Sequence, residues 1–194
     1  TRLSPDERRA QLVAIGLEKL ADHPLHELSV DELAERAGIS KALVFHYFGS
    51  RAELLRAIAG AAADDFIAAT EPDPEHPLED QLTESMQAFV RYVADRRTGY
   101  VMLLRGPASG EGAMLDLFEQ TRGRVVERIV SKLGPVDDVP ALRLLVRGWV
   151  AFAEEVTITW VDEPTMPEAK LLELLNHSLA QLVALAILGP GALV

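Results

Sequence analysis

Residues 29–51 read SVDELAERAGISKALVFHYFGSR and predict two short helices around a glycine turn, followed by the start of a third helix. Ser29 and Glu32 have the spacing of a capping box, so a helix is expected to begin there. Its buried face follows the i, i+3, i+4, i+7 spacing and consists of Val30, Leu33, Ala34 and Ala37. Gly38 ends this helix, because glycine takes the left-handed conformation that commonly follows a last helical turn. The gap before the next helix is long enough only for a turn.

The second helix of this segment is expected from its N-cap, Ser40, to about residue 47. Val44 and, one turn later, Phe48 form its inward side. The outward or flanking side chains are Lys41, Ala42, Leu43, Phe45 and His46. A helix start capped by serine, with short side chains beside it, can approach a DNA duplex closely.

A third helix is predicted immediately afterwards. Gly49 stops the second helix, and Ser50 with Glu53 has the spacing of a further capping box. Arg51 then lies in a first helical turn, where backbone N–H groups and a cation can both hold a phosphate. Any compact three-helix domain needs caps and glycine turns, but three such signals in register favour a helix-turn-helix that binds DNA.

The segment from residue 38 to residue 54, GISKALVFHYFGSRAEL, resembles the N-terminal domain of the tetracycline-repressor (TetR) family. The usual pattern of that family is Gly-Val-Ser-x-Gly-x-Leu-Tyr-x-His-Phe-x-Ser-Lys-x-x-Leu. The resemblance is specific over roughly the first 56 residues, and beyond them it is one of length and helical pattern. It implies an N-terminal DNA-binding domain and a C-terminal domain that binds a small-molecule effector.

The resemblance also implies roles for individual residues. Lys41, Ala42 and Leu43 align with positions that face base edges, where Lys41 can donate to guanine O6 or N7 and Leu43 offers only apolar contact. Three further residues align with phosphate-contacting positions: Ser29, Tyr47 and Arg51. Phe45 stands where the family usually has Tyr, so that hydroxyl is missing. The complete predicted DNA-binding set is Ser29, Ser40, Lys41, Ala42, Leu43, Phe45, His46, Tyr47 and Arg51.

The rest of the chain predicts an all-α protein of about nine helices. Helices are expected at about 5–21, 29–38, 40–47, 51–69, 78–95, 98–105, 111–133, 138–161 and 166–188. Three prolines break the chain at 71–77, Gly-Pro pairs end the helices near 106, 134 and 189, and Thr165 with Glu168 is expected to cap the last helix. We therefore divide the chain into a helix-turn-helix DNA-binding domain, 1–50, and a larger helical effector-binding and dimerisation domain, 51–194.

The formal net charge of -11 is unusual for a DNA-binding protein, because duplex affinity comes largely from Lys and Arg that displace counterions. The charge is unevenly distributed. Residues 1–56 hold 8 Lys plus Arg against 9 Asp plus Glu, about -1, which leaves -10 for the remainder. The sequence thus predicts a modest number of phosphate contacts and a salt dependence shallower than that of a strongly basic protein.

Composition and motifs argue against an enzyme. Without cysteine there is no disulfide, thiolate zinc site or cysteine nucleophile. The glycine-rich segment 105–112 lacks the Gly-Lys-Ser/Thr ending of a phosphate-binding loop and follows no strand, and Ser109 lacks the Gly-x-Ser-x-Gly context. The five histidines are dispersed, so neither a metal nor a cofactor is expected. No uninterrupted apolar segment has membrane-spanning length, which predicts a soluble cytoplasmic protein.

The last two predicted helices are apolar on more than one face. One face can pack in the core of the monomer, and the second needs either more surrounding helices or another chain. A two-fold four-helix bundle through about 140–188 is the simplest solution, so we expect a homodimer. Such a dimer would place two recognition helices in major grooves about 34 to 36 Å apart, or a multiple of it, on a palindromic duplex.

An apolar or amphipathic effector is expected to bind between helices of the second domain. Small-molecule sites are mostly apolar with a few placed polar groups, although aromatic residues at helical spacing are more often plain core. The candidate lining residues are Met86, Phe89, Val90, Tyr92, Val93, Met102, Leu103, Phe118, Trp149, Phe152 and Glu155. Two functions remain open: a repressor released from its operator by the effector, and a ligand-independent architectural DNA-binding protein with the same N-terminal domain.

Overall fold

The computed structural model describes residues 3–105, 112–133 and 139–188, and within these ranges all regular structure is helical. The α-helices are α1 (Pro5–Leu20), α2 (Val30–Arg36), α3 (Lys41–Phe48), α4 (Arg51–Ala69), α5 (Leu78–Asp95), α6 (Arg97–Arg105), α7 (Gly112–Lys132), α8 (Val139–Asp162) and α9 (Glu168–Leu188). A short 3-10 turn, Leu25–Glu27, lies in the predicted loop between α1 and α2. The all-α prediction is confirmed. The glycine-rich segment 106–111 and the Gly-Pro pairs at 106, 134 and 189 lie outside the described residues.

The first helix begins with a complete capping box. The Ser4 hydroxyl accepts from the Glu7 backbone N–H, and the Glu7 carboxylate accepts from the Ser4 N–H. The box predicted at α2 is only half formed. Ser29 Oγ accepts from the Glu32 N–H at 3.4 Å, but the Glu32 carboxylate pairs with Lys19 of α1 instead. A long acidic side chain beside a cation therefore joins two helices rather than closing its own cap.

The predicted capping box at Ser50 is half formed in the same way. Ser50 Oγ accepts from the Glu53 N–H at 3.1 Å, whereas the Glu53 carboxylate pairs with Arg56 one turn later. The predicted cap at Thr165 is wrong, since α9 begins at Glu168. The carbonyl of the proline directly before that residue accepts the first helical N–H groups.

The described residues form two compact units. The first contains Thr1–Phe66 and Asp95–Phe118, and the second contains Ile67–Ala94 and Glu119–Val194. The predicted functional boundary after residue 50 lies inside the first unit. The core of the first unit joins α1 to α4 through the buried side chains of Leu12, Ile15, Leu20, Leu25, Leu28, Val30, Leu33, Val44, Phe48, Leu54, Leu55 and Ile58.

The second unit has its own apolar core, in which α8 and α9 pack along each other. Its buried members are Met86, Phe89, Val90, Tyr92, Val93, Val126, Val130, Leu142, Val146, Trp149, Val150, Ile158, Leu171, Leu172, Leu175 and Leu179. Trp149 Nε1 donates to Ser178 Oγ at 2.9 Å, and Trp160 Nε1 donates to the Met166 carbonyl at 2.8 Å. These bonds satisfy the polar edges of both indoles; the first joins α8 to α9, and the second joins α8 to the loop that precedes α9.

The outer faces of α8 and α9 carry large apolar side chains. Leu144 is 71% exposed, and Phe152, Leu174 and Ile187 are also exposed. By length and composition, Glu168–Ile187 could cross a membrane, and 17% of that window is buried. One side of α9 is buried in the core of the second unit. The exposed apolar side chains therefore lie on a second face of the same helix.

Candidate DNA-binding site

The turn between α2 and α3 has the geometry that the sequence predicts. Gly38 has a φ of 66°, and its N–H donates to the Glu35 carbonyl at 3.0 Å. The Ile39 N–H reaches back to the Ala34 carbonyl at 3.0 Å, so the last carbonyls of α2 are satisfied as in a Schellman motif. Ser40 Oγ then accepts from the Leu43 N–H at 3.3 Å and starts α3. The direction of α3 is thus fixed by backbone bonds at its first turn.

One side of α3 anchors it in the core of the first unit, and the other is exposed. Val44 and Phe48 are buried, as predicted. Lys41, Ala42 and His46 are exposed. The remaining three predicted residues of this helix are half-buried, namely Leu43, Phe45 and Tyr47. The N-terminal end of α3 therefore offers a lysine, an alanine and part of a leucine to a partner.

Phe45 and Tyr47 pack against the core of the first unit. The Tyr47 ring also lies edge-on to the His46 ring, with centroids 5.6 Å apart. Tyr47 is half-buried, so packing holds one part of its side chain while another part is exposed. This arrangement is compatible with the predicted phosphate contact of Tyr47.

The end of α3 is held by a residue that the sequence analysis missed. Arg9 of α1 donates from a guanidinium N–H to the Tyr47 carbonyl, and its guanidinium carbon lies 4.5 Å from the centroid of the Phe48 ring. The cation thus satisfies a carbonyl of the last turn and stacks on an aromatic face. An arginine 38 positions earlier in the chain has no local pattern that points to this contact.

Arg51 has a structural role in addition to the predicted phosphate contact. One of its terminal nitrogens donates to the His26 carbonyl at 2.6 Å and to the Leu28 carbonyl at 3.3 Å. These carbonyls precede Ser29, the N-cap of α2. Arg51 therefore ties the start of α4 to the start of α2, and a phosphate bound there would share the guanidinium with these carbonyls.

Ser29 and Ser40 are occupied as N-caps, since each hydroxyl oxygen accepts a backbone N–H. A serine hydroxyl also has a proton to donate, so capping leaves each of them able to bind a phosphate oxygen. Lys41 Nζ lies 2.8 Å from Asp31 Oδ2 of α2, and both side chains are exposed. The predicted base-contacting lysine is therefore held by an ion pair across the helix-turn-helix.

The predicted effector-pocket residues divide by location. The five residues of α5 and Trp149 are buried in the second unit. Phe118 is half-buried at the end of a segment assigned to the first unit. Phe152 and Glu155 lie on the exposed side of α8, so the structure does not group them with the buried candidates. The side chains of Met102 and Leu103 lie outside the described part of the chain.

A buried carboxylate of the second unit, Glu154, pairs with a half-buried arginine, Arg122. The Glu154 carboxylate of α8 accepts from Arg122 Nε at 3.0 Å and from a terminal guanidinium N–H. Burial raises the pKa of the Glu154 carboxyl, against the opposing effect of Arg122. One turn further, the Thr157 side chain is fully buried, and its Oγ1 has no hydrogen-bond partner among the described residues. The buried side of α8 thus combines apolar surface with a few polar atoms.

The glycine turn between α2 and α3, together with the exposed and capped start of α3, defines a helix-turn-helix DNA-binding protein. A family model described as "Bacterial regulatory proteins, tetR family" matches residues 12–58, and one described as "Tetracyclin repressor-like, C-terminal domain" matches residues 78–182. The chain belongs to the TetR family of transcription regulators.

Individual relatives agree with the family match. The HTH-type transcriptional regulator EthR of Mycobacterium tuberculosis (strain ATCC 25618 / H37Rv) is 32% identical over 187 residues, which cover 91% of this chain and 87% of EthR. The HTH-type transcriptional activator FasR of Mycolicibacterium smegmatis is 29% identical over 104 residues, about half of each chain (53% and 48%). A tetR-family transcriptional regulator from Streptomyces coelicolor has the same fold, with a TM-score of 0.82 and 32% identity, covering 95% of this chain and 83% of that one.

Proposed function

We propose that this transcription regulator is a cytoplasmic repressor, which binds a palindromic operator as a homodimer and is released by a small-molecule effector. The observation that carries the DNA-binding part is the geometry of α3. Its apolar side is fixed in the core through Val44 and Phe48, while Lys41 and Ala42 are exposed at its capped start. A recognition helix needs this arrangement, because its N-terminal residues contact base edges in the major groove.

Base reading is assigned to the first turn of α3. Lys41 donates to acceptors on a guanine edge, the small Ala42 allows close approach, and Leu43 contacts a thymine methyl. Backbone contacts are assigned to the residues around this turn, which are Ser29, Ser40, His46, Tyr47 and Arg51. Because phosphate contacts position the protein and base contacts select the sequence, the two groups differ in their effect on specificity.

A binding titration at fixed salt tests this division of roles. The probes are a duplex that the wild-type protein selects from a random-sequence library and a scrambled duplex of equal composition. Lys41→Ala is expected to weaken the selected duplex by about 1 to 3 kcal/mol and to leave the scrambled one nearly unchanged. Tyr47→Phe, which removes only a hydroxyl, should weaken both alike. Equal losses on both duplexes for both variants would reject the assignment.

Phe45→Tyr is the matched gain-of-contact variant. It restores the hydroxyl that the family pattern usually has next to the phosphates. A charge-assisted hydrogen bond of about 1 kcal/mol per protomer would tighten binding to both duplexes several-fold. Unchanged affinity would show that the ring of residue 45 packs too deeply to reach the DNA backbone.

The dimer is proposed to form through α8 and α9, within about 140–188. On α8 five of the exposed positions follow the spacing i, i+4, i+7, i+8, i+11 of one face, namely Leu144, Gly148, Ala151, Phe152 and Glu155, and exposed Arg143 and Arg147 border this face. Exposed Leu174 and Ile187 lie on α9. A second copy is the occupant that fits, because a two-fold pair places two α3 helices on one duplex. Leu144→Glu should then lower both the molecular mass in solution and the operator affinity.

Effector binding is assigned to the second domain, 51–194, separately from the DNA-binding domain, 1–50. Support comes from the buried apolar residues of α5 and α8 together with the fully buried Thr157 Oγ1, which would hydrogen-bond a polar atom of an amphipathic ligand. A ligand releases the operator only if it binds the DNA-free state more tightly than the DNA-bound state. Since FasR is described as an activator, transcription in vitro with and without the protein decides the direction of regulation. The match to a repressor-like C-terminal domain argues against the architectural alternative.

A further inference from the structure

The only lysine of α3 is paired with a carboxylate of the neighbouring helix. Lys41 Nζ and Asp31 Oδ2 are 2.8 Å apart, with the side chains 50% and 69% exposed. An exposed pair of this kind contributes little to folding, because water screens it and ordering two long side chains costs entropy. The apolar core already fixes α2 and α3, so the pair is not needed to hold the two helices together.

We infer that Asp31 is a specificity-determining residue that acts through Lys41 and disfavours binding to DNA of the wrong sequence. This inference rests on the proposed function of α3 in base reading. An ammonium group has three N–H donors, so Lys41 can keep one bond to Asp31 and give the others to guanine O6 and N7. These base acceptors carry no formal charge and tolerate the carboxylate nearby.

A phosphate in the same place is a different partner. Two anions would then share one ammonium group, and their repulsion would offset much of the attraction. If Lys41 instead leaves Asp31 for the phosphate, one ion pair merely replaces another. Asp31 therefore weakens the sequence-independent part of DNA binding more than it weakens the sequence-specific part. Residues 1–56 have a net charge of about -1, so they hold no excess of cations to offset this repulsion.

The test compares two carboxylates, each of which forms an exposed ion pair with a cation of a neighbouring helix. Asp31→Asn removes the charge and keeps the shape. Glu18→Gln is the control, because Glu18 Oε2 lies 2.8 Å from a terminal nitrogen of Arg36 in the same compact unit, with the side chains 64% and 44% exposed. Both variants raise the net charge by one and break one exposed ion pair. Circular dichroism melts of both variants confirm that the fold is kept.

Affinities are measured for the duplex that the wild-type protein selects from a random library and for its scrambled counterpart, over a range of salt concentrations. Asp31→Asn should bind the scrambled duplex about 5- to 10-fold tighter, with the salt slope steeper by about 1 per protomer for one added phosphate contact. Its affinity for the selected duplex should change less, so the ratio of the two affinities falls. Glu18→Gln should leave that ratio within about 2-fold, as expected for an exposed pair away from the bases.

Combining Asp31→Asn with Lys41→Ala tests whether the carboxylate acts through the lysine. The inference requires that Asp31→Asn no longer changes the affinity ratio in the Lys41→Ala background. It is overturned if the change persists there, if Glu18→Gln lowers the ratio equally, or if Asp31→Asn leaves the ratio as in the wild-type protein. A wild-type protein that selects no duplex would overturn the proposed function itself, and this inference with it.

Discussion

Replacing Gly49 with alanine should destabilise the protein, whereas the same replacement at Gly60 should stabilise it. Gly49 ends α3 with a φ of 78° and a ψ of -48°, a backbone conformation outside the regions that residues with a Cβ normally occupy. A Cβ there would meet nothing within 4 Å, so the cost is one of backbone conformation alone, about 2 kcal/mol. Gly60 lies inside α4, where an added methyl group would again meet nothing within 4 Å, and alanine should gain about 1 kcal/mol there.

Urea denaturation followed by far-UV circular dichroism measures both changes. Fluorescence is the wrong probe, since Trp149 and Trp160 lie in the second compact unit and both glycines lie in the first. Relative to the wild-type protein, the free energy of unfolding should fall in Gly49→Ala and rise in Gly60→Ala. The two variants should therefore differ by about 3 kcal/mol. At about 2 to 4 °C per kcal/mol, the melting temperatures should differ by roughly 6 to 12 °C. Two variants of equal stability would refute the assigned backbone geometry at the end of α3.

Three further changes probe other parts of the molecule. Glu154→Gln should lower the free energy of unfolding by about 1 to 3 kcal/mol in urea, because the half-buried Arg122 guanidinium loses the carboxylate that accepts its N–H bonds and keeps the more distant Glu119, at 3.7 Å, as a counterion; a loss near zero would mean that the pair is solvated. The Glu84 carboxylate raises the pKa of His76 above its value in the unfolded chain. The stabilisation that this pair contributes is therefore complete below the unfolded-state pKa of His76 and is lost as pH rises through its folded-state pKa. Hydrogen exchange at 71–77, corrected for its intrinsic rate, should accelerate across that window, and a His76→Asn variant with the same pH response would contradict this. Gly99→Ala would place a methyl group against the last carbonyl of α1, so it should lower the free energy of unfolding by roughly 1 to 3 kcal/mol. A thermal melt identical to that of the wild-type protein would contradict this close contact.

The helices were predictable because their signals are local. A capping serine, a following periodic apolar face and a glycine or proline stop all lie within one helix length, and α4 begins and ends at the residues that the pattern indicates. The inward positions of α3 follow from the same spacing. Val44 and Phe48 are four residues apart, one helical turn, and a helix beside a core must bury one side.

The side-chain partners of the candidate site were not predictable in this way. Arg9 contacts Tyr47 across 38 positions, and Arg51 bonds to carbonyls that precede α2. Long, flexible cations reach many acceptors, and only the packed fold decides which are near. Glu32 shows the same limit, since its spacing predicted a capping contact but Lys19 of another helix is its partner.

Helices with two apolar faces set another limit. The sequence groups Phe152 with Trp149 among the candidate pocket residues of α8, yet Phe152 is 42% exposed and Trp149 is 1% exposed. Periodicity shows that both faces are apolar, but it does not show which face the same chain covers. That choice depends on which other helices surround α8.

A symmetric pair of chains is proposed to place two α3 helices in the major groove of one duplex. Missing-base interference on the duplex selected by the wild-type protein is the decisive measurement. Two patches of required bases related by a dyad are expected, about 34 to 36 Å apart or a multiple of that distance, with both patches weakened in Lys41→Ala. A single patch, or two patches that Lys41→Ala leaves unchanged, would contradict this proposal.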